Sequence, residues 1–113
     1  MRKWTLPLLP LIVLAGCTSV SKNECLQADW HGIGYKHGAD GTEYRDGIDA
    51  LSQCSEYGVN ADIAKYKVGY DQGLATYCEP ENGFTLGMQG ASYNGVCKST
   101  AFRKAWQEGN DRY

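Results

Sequence analysis

One spacing recurs four times along this chain: an aromatic residue or His, then a small residue, a large apolar one and Gly or Leu at offsets of 3, 4 and 7. The copies are His31-x-x-Gly34-Tyr35-x-x-Gly38, Tyr44-x-x-Gly47-Ile48-x-x-Leu51, Tyr66-x-x-Gly69-Tyr70-x-x-Gly73 and Phe102-x-x-Ala105-Trp106-x-x-Gly109. Residues so spaced share one face of an α-helix, whereas strands need alternation, which is absent. The pattern predicts an all-α fold of about four short helices, near residues 28–38, 43–57, 61–77 and 99–109. Thr42 stands where the second needs an N-cap, Asn60 where the third does and Ser99 or Thr100 where the last does, while Gly58 is placed to end the second in a left-handed conformation. Gly inside a helix costs roughly 1 kcal/mol relative to Ala. Placing it twice at i and i+4, as Gly34/Gly38 and Gly69/Gly73, implies that a neighbouring helix or an aromatic ring lies directly on those surfaces. Short turns are the competing explanation for Gly32, Gly38 and Gly41.

The N-terminal segment is of another kind. A cationic Met1-Arg2-Lys3 precedes an apolar run from Leu6 to Leu14 that Pro7 and Pro10 interrupt. A bilayer-spanning helix needs about 20 apolar residues, so residues 1–16 are expected to be a signal peptide and the chain to be exported. Leu14-Ala15-Gly16-Cys17 closes the run and resembles the lipobox of bacterial lipoproteins. That resemblance implies a diacylglyceryl group on the Cys17 thiol, with small residues before it admitting the extended segment to the signal peptidase. Residues 17–24 are then a lipidated Cys and a short polar tether, and residues 25–113 a single periplasmic domain. Cleavage before Cys17 leaves 97 residues, enough for one small and marginally stabilised core. The same cleavage leaves nine basic side chains against thirteen acidic, a formal charge of −4 without any Lys or Arg cluster. Nucleic acid is therefore not an expected partner, and neither is an anionic lipid surface held by charge. The expected attachment is through palmitate-like acyl chains, each worth roughly 0.8 kcal/mol per buried methylene.

With Cys17 set aside, four cysteines remain: Cys25, Cys54, Cys78 and Cys97. An even number in a short exported chain points to two disulfides, for which three pairings exist. Their spacings of 29, 24 and 19 residues, with no Cys-x-x-Cys, do not suit a zinc site, and a bridged thiol cannot act as a nucleophile. Between Cys78 and Cys97 the helical pattern fails, and Pro80, Gly83, Gly87, Gly90 and Gly95 read as a glycine-rich loop pinned by Phe84, Leu86, Met88 and Tyr93. So long a loop is uncommon unless functional or stapled, and a Cys78–Cys97 bridge would staple it, contributing roughly 3 kcal/mol. Cys25 then pairs with Cys54. A 54 to 78 bridge is difficult if the second and third helices form an antiparallel hairpin, since their Cα atoms must come within about 7 Å.

Cys25, Asp29-Trp30 and Gly34-Tyr35-x-x-Gly38 are followed by Gly69-Tyr70-x-x-Gly73-Leu74-x-x-Tyr77-Cys78 and Gly87-x-x-Gly90-x-x-Tyr93-x-x-x-Cys97. In this order they resemble a family of small proteobacterial lipoproteins known only as a domain of unknown function. The likeness spans nearly the whole exported chain and implies no activity. It also implies an address: Thr18 follows the lipidated Cys where inner-membrane retention typically uses Asp, which favours the outer membrane.

No catalytic set emerges. Gly32-x-Gly34-x-x-x-Gly38 is one residue too long for a dinucleotide loop and no strand precedes it. His31 and His37 do not share a helix face, no His-Glu-x-x-His is present, and neither metal nor cofactor is expected. Asp40, Glu43, Asp46 and Asp49 lack the order of a calcium loop and read as a solvated helix start. Ser52, Ser55, Ser92 and Ser99 have no nucleophile-elbow context. Eight tyrosines suit either the core of a domain poor in Leu, Ile and Val or a protein- or glycan-binding surface made of Trp30, Tyr66, Tyr70 and Tyr77. The expectation is a non-catalytic envelope lipoprotein with a protein partner. The rival is a small-ligand or glycan binder, or an enzyme, with a pocket of Asp29, Trp30, His37 and the 78–97 loop.

Overall fold

Helices begin here where a short polar side chain can hold the first free N–H groups. Ser21 accepts from the Glu24 amide while the Glu24 carboxylate accepts from the Ser21 amide, a capping box that starts α1 (Lys22–Gln27). Asp29 accepts from the Gly32 amide at the head of α2 (Trp30–Ala39), Asp62 from the Lys65 amide at α4 (Ile63–Tyr77), and Ser99 from the Phe102 amide at α6 (Thr100–Asn110). Glu43 precedes α3 (Tyr44–Ser52) and Glu79 precedes α5 (Pro80–Met88), both without a side-chain cap; Pro80 opens the latter at a position where its missing N–H costs nothing. Asp62 rather than Asn60 caps α4 because it directly precedes Ile63, and the residue before Tyr44 is Glu43, not Thr42. A 3-10 helix, Gln53–Tyr57, continues α3 and ends at Gly58 with φ +75°. This computed structural model describes residues 18–113, and among them there is no strand. The expected signal peptide and Cys17 lie outside the described residues.

The fold departs from expectation in two segments and in one helix pairing. Residues 18–24 are not a plain tether: Val20 is buried in the core and α1 is already helical. The 78–97 segment is not one loop, because α5 occupies its first half. The reason lies in Gly83-Phe84-x-x-Gly87, which repeats the small-aromatic-x-x-small spacing of the other helices. Its glycines serve packing, not turning.

Two helix pairs dominate, α2 with α4 and α5 with α6. A Cβ on Gly34 would strike the Tyr66 carbonyl and one on Gly38 the Tyr70 carbonyl, while Gly69 meets the His31 carbonyl and Gly73 the Tyr35 carbonyl. Both residue numbers rise together, so α2 and α4 run parallel with their backbones in contact. The glycines exist because a methyl would fill space the partner's peptide units occupy. The second pair follows the same rule: Gly87 lies on the Trp106 carbonyl and Gly109 on the Phe84 carbonyl. It too is parallel. The antiparallel hairpin of the second and third predicted helices is therefore absent; the partner of α4 is α2.

Parallel helices need a connection that returns along their length, and each pair lies beneath its own. α3 and its 3-10 extension cover the first pair, where Leu51, Ala50 and Cys54 join Trp30, Ile33, Tyr66, Tyr70 and Cys25 in one buried cluster. The extended residues 91–99 cover the second, where Tyr93 packs on Phe102 and Trp106, and Trp106 Nε1 donates to the Ala91 carbonyl at 3.0 Å. Cys25 is bridged to Cys54, tying α1 to the 3-10 helix, and Cys78 to Cys97, tying the end of α4 to the second cover.

Candidate functional site

An open polar cleft of about 520 Å³ lies where α2 ends and α3 begins. It follows from a turn. Gly41, with φ +74°, lets the Thr42 amide donate back to the His37 carbonyl at 3.0 Å, so the chain leaves α2 and reverses toward Glu43. Tyr70 Oη donates to the Thr42 carbonyl at 2.6 Å and Asn94 Nδ2 to the Gly41 carbonyl at 3.0 Å, which fixes the turn to α4 and to the second cover. Asp40, Glu43 and Asp46 line the cleft with Lys36, His37, Asn94, Thr18 and Ser19. The only ion pair among the described residues is Lys67 with Asp71, so these three carboxylates stand without one there.

His37 forms the floor. It is 6 % exposed, and its Nδ1 lies 2.7 Å from the hydroxyl of Tyr66, which is fully buried. Burial pushes the His37 imidazole below its ordinary value, with Lys36 adding to the effect and Glu24 and Asp40 opposing it. Burial also holds the Tyr66 phenol far above its usual range. The phenol proton finds its acceptor when the neutral ring accepts at Nδ1, the tautomer that keeps the ring's own proton on Nε2. Among the described residues no buried side-chain polar atom lacks a partner, and Nε2 makes no bond there, so Nε2 is not sealed in the core, and His37 lines the cleft. Gly47 of α3 completes the arrangement: a Cβ there would coincide with the Tyr66 hydroxyl.

The predicted site residues separate. Trp30, Tyr66 and Tyr70 are buried, and Tyr77 is half-buried with its ring on Gly41. The reason is the scarcity of Leu, Ile and Val: rings from α2 and α4 supply the core instead. Of the rival pocket, His37 and Asn94 meet, but Trp30 is core and Asp29 caps the opposite end of α2, beside a separate hollow with Gly32 and Lys36. His31 is exposed, its Nε2 3.1 Å from Gln72 Oε1. Among the described residues no group of His, Cys, Asp and Glu could hold a metal ion, and no helix is long and apolar enough to cross a membrane. The His37–Tyr66–Gly47 unit was not anticipated; its sequence signal was the helix register, which puts His37, Ile33 and Trp30 on one stripe of α2.

Fold and bridges together define a small, disulfide-bonded, all-helical domain built from parallel helix pairs. The chain belongs to the family described as Protein of unknown function (DUF2799), whose model matches residues 29–111. No curated protein and no solved structure matches it.

Proposed function

We propose that this chain is an envelope lipoprotein, held at the outer membrane by acyl chains on Cys17, whose helical domain faces the periplasm as a non-catalytic accessory or interaction module. The observation that carries it is the cysteine inventory. Four of the five cysteines are joined to one another, so Cys17, which follows Leu14-Ala15-Gly16, has no thiol left in the chain to pair with. Two bridges suit an oxidising compartment. The cleft suits such a role: its carboxylates are exposed, and its one buried titratable group spends a nitrogen on Tyr66.

Growth with labelled palmitate followed by density separation of the two membranes tests the anchor. The wild-type chain is expected to carry label and to sediment with the outer membrane, and Cys17→Ser to lose the label and either leave the membrane or accumulate unprocessed. A processed Cys17→Ser protein that stays in the outer membrane would refute the proposal. Crosslinking in intact envelopes identifies the partner. A small polar ligand or glycan is the second reading, favoured by a cleft of about 520 Å³, within the size range of ligand sites although more polar than most. Saturation-transfer NMR with cell-wall oligosaccharides decides it.

A further inference from the structure

His37 joins three elements through one hydrogen bond. Its Nδ1 and the Tyr66 hydroxyl tie α2 to α4, and that hydroxyl sits against Gly47, so it also seats α3 on the pair. His37 lines an open cleft and its opposite nitrogen is not sealed in the core, which gives a proton a path to the ring. The charged groups near the ring among the described residues can be placed. Glu24 approaches from α1, Lys36 and Asp40 from its own helix, Glu43 and Asp46 from the start of α3, and the weakly acidic Tyr66 from α4 with Tyr44 and Tyr70 behind it. Asn94, Thr18 and Ser19 contribute only neutral groups. Three carboxylates thus line the outward side against one ammonium, with Glu24 held apart in its capping box, while the inward side offers a buried phenol.

We propose that His37 is a proton-operated latch: neutral, it bonds inward to Tyr66 and holds α3 down; protonated, it turns outward to the carboxylates of the cleft and frees α3. An imidazolium carries N–H on both nitrogens and cannot accept from Tyr66. Staying inward would leave the phenol proton without an acceptor in the core and a cation out of water, and both are costly. Turning outward places the charge among Asp40, Glu43 and Asp46. The Tyr66 hydroxyl, left without its acceptor beside Gly47, must then shift toward water, which unseats α3 and opens the apolar faces of Leu51 and Tyr66. The imidazole favours the neutral form when folded, so its contribution is complete above the ordinary value of about 6.5 and declines as pH falls below it. Acid is the trigger.

The test uses the purified full-length chain in detergent micelles, with His31→Gln so that one imidazole remains. Nitrogen-15 NMR is expected to show the proton on Nε2 at neutral pH and titration below the ordinary imidazole range. Amide-exchange protection at Gly47, corrected for intrinsic rate, should fall about tenfold for each unit by which that titration is depressed. An apolar dye should begin to bind over the same interval. In His37→Gln, which stays neutral, neither change should occur there. Should that variant not fold, Tyr66→Phe offers the second check, since a ring with no phenol to release gives no pH-dependent step at Gly47. Protection at Gly47 that stays constant while His37 titrates overturns the latch, and so does a proton found on Nδ1 at neutral pH.

Discussion

A single hydroxyl decides how α3 can be mutated. Gly47→Ala adds a methyl where the Tyr66 phenol ends, so overpacking should cost about 1 to 3 kcal/mol in a thermal melt even though Ala favours helix. Tyr66→Phe removes the obstruction but leaves His37 Nδ1 without its donor, at a cost of about 1 to 3 kcal/mol. The double variant should therefore be more stable than the two losses predict, with a coupling above roughly 0.5 kcal/mol. Additive losses would show that the phenol moves aside. At this scale the sequence was legible for the cap Ser99 and for Gly58, but not for Thr42 and Asn60, which stand one and two residues short of the caps Glu43 and Asp62. It was not legible for the tyrosines, because a ring with a polar tip suits core and surface alike until register is known. Tyr66 and Tyr70 became core only through the face that α4 turns to α2 and α3.

At the level of elements, the sign of one substitution separates packing from propensity. Gly69→Leu improves intrinsic helix formation by several tenths of a kcal/mol, yet it drives a side chain into the His31 carbonyl. Differential scanning calorimetry should show a lower melting temperature, with a loss of 1 to 3 kcal/mol or more. A graded pair exists in the second half: Gly87 lies on the Trp106 carbonyl, whereas a Cβ on Gly83 would meet the Phe102 carbonyl at 2.8 Å and its ring at 3.0 Å. Gly87→Ala is therefore expected to cost more than Gly83→Ala, since a ring yields more readily than a backbone. Close approach on Gly34/Gly38 and Gly69/Gly73 could be read from spacing alone. The helix α5 could not, because four glycines and a proline between two cysteines resemble a loop. Physically the two uses of Gly differ only in whether a partner backbone lies against it, which local sequence does not report.

Across the whole molecule the two halves follow one plan. Gly34-Tyr35-x-x-Gly38-x-x-Gly41 corresponds to Gly83-Phe84-x-x-Gly87-x-x-Gly90, and Gly69-Tyr70-x-x-Gly73-x-x-x-Tyr77 to Ala105-Trp106-x-x-Gly109-x-x-x-Tyr113. Tyr77 lies on Gly41 as Tyr113 lies on Gly90, and the turns match, the Ala91 amide donating to the Leu86 carbonyl as Thr42 does to His37. Burial raises the phenols of Tyr66, Tyr70 and Tyr77. A raised acid favours the folded state below its ordinary value near 10 and ceases to as pH climbs past it, so absorbance near 295 nm should show these three ionising late, together with alkaline unfolding. Removing the Cys78–Cys97 bridge as a double Ala variant should cost roughly 3 kcal/mol and loosen the second pair first, since little else fastens it to the first.

Parallel pairing also sets a tempo. An antiparallel hairpin zips from its turn, but Gly34 touches Tyr66 and Gly69 touches His31, so the first pair closes only after α3 and its extension have been reeled in. Gly87 meets Trp106 across a shorter stretch, which puts the second pair ahead in time. A chain this helical should consequently fold more slowly than a helical hairpin bundle of equal length, nearer the pace of mixed α/β domains. Until the first pair closes, the rings of Tyr66, Tyr70 and Trp30 stay uncovered, and that interval is when an emerging chain is most exposed to aggregation or to a waiting chaperone.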